Sequence, residues 1–285
     1  MLLSAVLIGS AMAGHYSAWG TAVSAESLPG SSSDINTTSN DGCPIESSDG
    51  NSLYTATNRP GGLGGIDIWV AHRSSTDAGF GPMVNLGAAI NSEVDDFCPT
   101  PVRGKGLFFV SSRSGGCGGA DIYFTRNNPS HGWTDPENLG CSVNSALGEA
   151  GPAYFEADGQ AYLYFSSGPE IMASIQQSDG SFGPAAAVAE LNSPAGDFRP
   201  NVRKGGLEMV FDSNRTDTLG GQDLYFSTRS SASEPWSVPV NGGSAVNTAA
   251  GETRGSFSWD GLRLYFGRTP GPEGGTDIFI SSRTR

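Results

Sequence analysis

NTTSNDGCP from Asn36, NSEVDDFCP from Asn91, NSALGEAGP from Asn144, NSPAGDFRP from Asn192 and NTAAGETRG from Asn247 are five copies of one short pattern. Each has Asn, then Ser or Thr, three free positions, an acid, two further free positions and, in four of the five, Pro. The acid always stands five residues after the Asn. Copies recur every 48 to 55 residues, and a fixed spacing at such a period marks an array of similar supersecondary units.

Working outward from the motif, each unit divides into four strand-like runs. The acid opens a first run, Cys98 to Arg103 in the second unit, which ends at a polar turn such as Asp49-Gly50, Asp158-Gly159 or Asp260-Gly261. A second run follows: LYTATNR to Arg59, LFFVSSR to Arg113, YLYFSSG to Gly168, LEMVFDSNR to Arg215 and LRLYFGR to Arg268. Polar Asp-Gly turns between runs rich in aromatic and β-branched residues predict hairpins. A Gly-rich loop then leads to a third run headed by Asp67, Asp121, Asp223 or Asp277, with Glu170 in the shorter third unit. The fourth begins at Phe80, Trp133, Phe182 or Trp236.

Four antiparallel strands per unit predict a propeller blade, and five units predict an all-β, five-bladed β-propeller over residues 14–285. With 41 Gly and 17 Pro the composition suits a turn-rich β protein, and no stretch holds a helical period. The last unit ends after its third strand, whereas Trp19-Gly20-Thr21-Ala22-Val23 matches an aromatic-led fourth strand. The N-terminal strand is therefore expected to complete the last blade and close the ring, removing free sheet edges.

The apolar run Leu2 to Ala13 ends in Ala11-Met12-Ala13, an export-type cleavage signal without a basic n-region. Residues 1–13 are read as the remnant of a leader. A second candidate site after Ala25 is set aside because it would remove the closing strand. Export to a periplasmic, cell-envelope or extracellular location follows, with no transmembrane segment, since the run is too short to span a bilayer. The net charge of −13 excludes nucleic acid and anionic membrane surfaces as partners and favours cationic or neutral polar ligands.

Strand polarity gathers the Gly-rich loops, the Asn-Ser/Thr turns and the acids Asp41, Asp96, Glu149, Asp197 and Glu252 at one end of the ring. Those acids are the candidate ligand-binding residues at the channel mouth. They have the chemistry to hold calcium, a sugar or a cationic group. They have equally the chemistry of struts, capping backbone or pairing with the Arg that ends strand two. Repetition in every blade favours struts. Asp67, Asp121, Asp223 and Asp277 are expected to accept hydrogen bonds from the Gly-rich turns before them.

GGLGG and GGCGG are not phosphate loops, because a strand follows and no Gly-Lys-Ser/Thr is present. His15, His72 and His131 lack metal-ligand spacing and no G-x-S-x-G elbow occurs. No cofactor is expected beyond calcium, and no residue is marked as catalytic. The four Cys are read as two disulfides, Cys43–Cys98 and Cys117–Cys141.

SSRSGGCGGADIYFTR and NLGCSVNSALGEAGPAYFEADGQAYLYFSS resemble the PD40, or WD40-like, β-propeller repeats of TolB-related and OmpA-linked envelope proteins. The resemblance extends over nearly the whole chain after residue 14. It implies an exported propeller that serves as a binding or assembly module, so the expected function is a non-enzymatic, monomeric module taking a protein or oligosaccharide on the acid-lined face. The alternative is a glycoside hydrolase-like propeller in which two mouth carboxylates, for instance Asp96 and Glu149, flank a sugar bond. A purely structural repeat domain is the third reading.

Overall fold

A computed structural model describes residues 16–128 and 130–285. The leader of residues 1–13 and its cleavage site lie outside them. The described residues form five antiparallel sheets arranged as a propeller, with one short 3-10 turn among them at Ala25–Ser27. No helix of the described residues is long and apolar enough to cross a membrane.

Blade one holds Asp41–Glu46, Ser52–Thr57, Asp67–His72 and Val84–Asn85, from the axis outward. Blade two holds Asp96–Val102, Gly106–Ser111, Asp121–Asn128 and Glu137–Asn138. Blade three holds Glu149–Ala157, Gln160–Ser167, Glu170–Ile175 and Ala186–Ala187. Blade four holds Asp197–Val202, Glu208–Ser213, Asp223–Thr228 and Val240–Asn241. Blade five holds Gly251–Phe257, Arg263–Thr269 and Asp277–Ser282 from the C-terminus, and Val23–Ser24 from the N-terminus.

The ring closes as the repeat count requires: Val23 pairs with Ile280 and Ser24 with Phe279. Gly20 N–H donates to Ser282 O (2.9 Å), and Trp19 stacks between Phe226 and Phe257. The fourth strands are shorter than expected. Their aromatic heads Phe80 and Trp236 are buried in the hydrophobic layers outside the ladders, Phe182 is buried and bridges only to Gln176, and Trp133 sits in a side hairpin against Asn127. Leu53, Phe109, Phe165, Phe211 and Phe266, one from each second strand, are fully buried.

Every innermost strand carries a bulge, seen as a register shift between Gly42 and Ile45, Phe97 and Thr100, Ala150 and Ala153, Phe198 and Asn201, and Thr253 and Ser256. The bulged residue has positive φ at Cys43 (49°), Cys98 (48°), Gly151 (60°), Arg199 (48°) and Arg254 (53°). This explains the Pro of the motif, which follows at the next position: a residue without N–H is tolerated at a bulge on a sheet edge. In blade five the Pro is Gly255, where a Cβ would stand 2.8 Å from Val210 Cγ2.

Candidate functional site

The acid ring is the natural place to start. Asp41, Asp96, Glu149, Asp197 and Glu252 are each buried. Each turns its carboxylate into the seam between blades rather than leaving it open at the mouth. The backbone N–H after the motif Asn donates to it: Thr37 to Asp41 (2.6 Å), Ser92 to Asp96 (2.6 Å), Ser145 to Glu149 (3.0 Å), Ser193 to Asp197 (2.5 Å) and Thr248 to Glu252 (3.0 Å). In four blades an Arg completes the latch: Arg59, Arg113, Arg215 and Arg268 pair with Asp41, Asp96, Asp197 and Glu252 at 2.6 to 3.0 Å. The same guanidiniums donate to the carbonyl just before the Asn, at Ile35, Ile90, Leu191 and Val246.

The Asn itself imitates a ladder rung. Asn91 accepts from Ile68 N–H (2.9 Å) and donates to Ile68 O (3.0 Å). Asn36, Asn144, Asn192 and Asn247 do the same to Ile278, Ile122, Ile171 and Leu224. Each acid's own N–H then donates to the preceding blade, as Asp96 does to Ile66 O at 2.7 Å. The whole motif therefore ties one blade to the next, and in four of the five blades its charge is answered within the fold. Among the described residues no group of three or more His, Cys, Asp or Glu is placed to hold a metal ion.

Blade three departs from the pattern. Ser167 stands beside Glu149 where the other blades present Arg, donating at 2.9 Å. Burial pushes the Glu149 carboxyl above the usual carboxylate range, against the hydrogen bonds of Ser145 and Ser167, and its Oε2 has no partner. The Asp residues heading strand three cap the Gly-rich loops as expected: Asp67 accepts from Leu63 and Gly64 N–H, and Asp121 from Cys117 N–H.

Cys117 and Cys141 form a disulfide with Cα atoms 5.5 Å apart. Cys43 and Cys98 do not: both are free thiols with their sulfurs in direct contact. They occupy bulge positions beside Arg199 and Arg254, which fill the same position in blades four and five. Burial raises the Cys98 thiol, but the Cys43 hydrogen bond and the Arg254 and Arg199 charges outweigh it and bring Cys98 to about 6. Cys43, hydrogen-bonded to Cys98 and buried, is raised.

Arg254 is 1% exposed and reaches across the axis, donating to Pro200 O, Thr100 Oγ1 and Pro152 O. Beyond it, at the end carrying the Asp-Gly turns, opens a cavity of about 390 Å³ to which all five blades contribute. Blade one supplies Ile45 and Glu46, blade two Thr100 to Arg103 and Lys105, and blade three Tyr154, Phe155 and Glu156. Blade four supplies Asn201 to Gly205, and blade five Phe257 to Trp259. A concave, largely apolar and aromatic wall of this size with a few polar groups is the ordinary form of a small-ligand site.

Two carboxylates face this cavity and they differ in kind. Glu46 is 6% exposed and accepts from Arg73, Arg263 (Nε and Nη2) and Tyr265 at 2.6 to 3.2 Å. Glu156 has a half-exposed side chain and accepts from Lys105 and Tyr154 through Oε1 alone. The Lys105 hydrogen bond, then that of Tyr154, hold its carboxyl below the usual range. Its Oε2 is left for a ligand. Trp259 is 41% exposed at the rim, with Lys204 Nζ 4.8 Å from the ring centroid.

The cavity thus lies at the opposite end from the acid ring. Sequence reasoning passed over it because its wall comes from the short turns after the innermost strands. One signal was available: Lys105 and Lys204, both on those turns, are the only two lysines of the chain.

No family model matches the chain, and no curated protein sequence does. Solved structures do. The chain is similar to the α-L-arabinofuranosidase from Podospora anserina in complex with cellotriose, at 13% identity and a TM-score of 0.60, over 94% of this chain and 98% of that one. It is similar to a family-43 endo-arabinanase from Bacillus licheniformis at 13% identity and 0.59, over 87% and 96%. A third is a family-43 β-xylosidase/α-arabinofuranosidase from a compost metagenome, in complex with xylotriose and in calcium-free form, at 13% and 0.56, over 88% and 93%.

At such identities the likeness shows the five-bladed fold. It also corrects two expectations. The similar propellers named here are sugar-cleaving enzymes, not PD40 or TolB-type repeat proteins, so that resemblance is not upheld. The non-enzymatic reading and the leaning against an enzyme, drawn from that resemblance and from the sparse catalytic motifs, are corrected by the same matches.

Proposed function

We propose that the chain is a carbohydrate-active propeller of the glycoside hydrolase type, holding an oligosaccharide in the axial cavity at the Asp-Gly end. The observation that carries this is the cavity itself: five blades converge on it, aromatic side chains line it, and one carboxylate keeps an unengaged oxygen within it. The cellotriose and xylotriose bound by two of the similar propellers support the choice of ligand class. Trp259 is the exposed aromatic face against which a sugar ring can pack.

Glu156 is the reacting carboxylate on this account. Held ionised by Lys105 and Tyr154, it suits the role of nucleophile toward the sugar carbon, while the glycosidic oxygen that leaves takes its proton from the water that reaches this half-exposed side chain. Glu46, whose oxygens are taken up by two Arg and a Tyr, fixes the floor of the cavity and does not react. The acids of the opposite end take no part: Asp41, Asp96, Asp197 and Glu252 are engaged by Arg and backbone, and Glu149, whose Oε2 is unpartnered, is buried away from the axial cavity. The protein would act as an exported monomer once residues 1–13 are removed.

The test is product analysis on a panel of arabino- and xylo-oligosaccharides with the protein and Glu156→Gln. Turnover lost in the variant while binding survives is the expected result. Equal turnover in both, or none with any oligosaccharide, would refute the assignment.

A further inference from the structure

The chain carries 16 Lys and Arg against 29 Asp and Glu, yet the cavity reverses that balance. Arg103, Lys105, Arg203 and Lys204 line it, against Glu46 and Glu156. Both lysines of the chain are among them. Their partners decide which charges remain. Glu46 is answered by Arg73 and Arg263, which lie outside the cavity wall. Lys105 is paired with Glu156, and Arg203 with Glu208 at 2.8 Å. Arg103 and Lys204 are exposed and have no carboxylate within ion-pair distance among the described residues.

Resting on the carbohydrate reading, we infer that the ligand is an acidic oligosaccharide, one whose sugars carry a carboxylate. Lys204 stands over the Trp259 ring, so a sugar packed at Trp259 brings a ring substituent within reach of the ammonium. Arg103 offers a planar fork of donors that matches a carboxylate in two-point contact. A cationic mouth on a strongly acidic protein also draws anions selectively toward this one place, since field lines concentrate in a low-dielectric cleft. Lys105 serves the same end from the other side: it offsets the repulsion between an anionic sugar and the ionised Glu156. The overall negative charge, which by itself favours cationic or neutral ligands, conceals a local field of opposite sign.

The experiment is calorimetric titration with matched neutral and uronic-acid-bearing xylo-oligosaccharides, at low and high NaCl. The acidic ligand is expected to bind about ten-fold or more tighter, with an advantage that shrinks as salt screens it. Arg103→Gln and Lys204→Gln, both exposed and therefore neutral for folding, should each remove most of that advantage, and Arg103→Lys should restore part of it. If the neutral and acidic ligands bind equally, this inference is overturned while the carbohydrate reading stands. If neither binds, the carbohydrate reading fails and takes the inference with it. A preference for the acidic ligand that both Gln variants leave intact would also overturn it, by placing the recognition elsewhere.

Discussion

Replacing Arg59 by Met tests whether the acid ring is a set of struts. The Arg59 guanidinium pairs with Asp41 at 2.6 Å and donates to Asp34 O and Ile35 O at 2.7 and 2.9 Å, with the two side chains only 7% and 0% exposed. The variant keeps the side-chain length but leaves a buried carboxylate whose remaining donors are the Thr37 N–H and hydroxyl. Removing one partner of a buried pair costs roughly 3–5 kcal/mol, because the other charge stays in a poorly polarisable site. For a chain of this size that corresponds to a midpoint lowered by roughly 6–10 °C. Urea denaturation of wild type, Arg59→Met, Asp41→Asn and the double variant completes the cycle, in which the double variant should lose less than the sum of the singles by more than about 1 kcal/mol. Additive losses, or a single-variant loss under about 1 kcal/mol, would refute the strut assignment.

Asn91→Ala leaves the buried N–H and C=O of Ile68 without their partner, so a loss of about 1–3 kcal/mol is expected in the same urea assay. Glu149, raised by burial in the folded state, adds stability that is complete below the unfolded carboxylate range and is lost as pH rises through its native value. A midpoint-versus-pH scan should accordingly fall less steeply with rising pH for Glu149→Gln than for wild type. Opening the Cys117–Cys141 bridge, whose residues are 24 apart in sequence, should cost about 3 kcal/mol by loop entropy, read from urea curves of the double Ser variant. Alkylation of the Cys43–Cys98 pair, followed by mass spectrometry against pH, should show a midpoint near 6 for the first thiol, rather than near the ordinary thiol value of about 8.5.

The architecture was legible because its determinants are local and periodic. The Asn-to-acid spacing of five residues lets one motif hold the preceding strand through the Asn and the next blade through the acid. The missing last strand was legible too, since Trp19 matches the aromatic-led strands elsewhere and indeed packs on Phe226 and Phe257. The repetition that revealed the blades also drew attention to the wrong end. An acid present in every unit looks like a ring of ligands, whereas in four of the five units an Arg 16 to 18 residues later takes it up inside the fold.

The cavity had no such local sign. Glu46 meets Arg263 from 217 residues away and Lys105 meets Glu156 from 51; no periodicity encodes either contact. The free state of Cys43 and Cys98 was equally out of reach, because it depends on how the bulges set two neighbouring strands at the axis.

The most direct test of the account is calorimetric titration of an oligosaccharide into the wild-type protein and into Trp259→Ala, an exposed position whose loss leaves the fold intact. Saturable binding to wild type, weakened about ten-fold or more in the variant, is what the cavity predicts. Undiminished binding in Trp259→Ala would move the ligand away from the axial cavity, and the absence of binding to wild type would remove the carbohydrate assignment altogether.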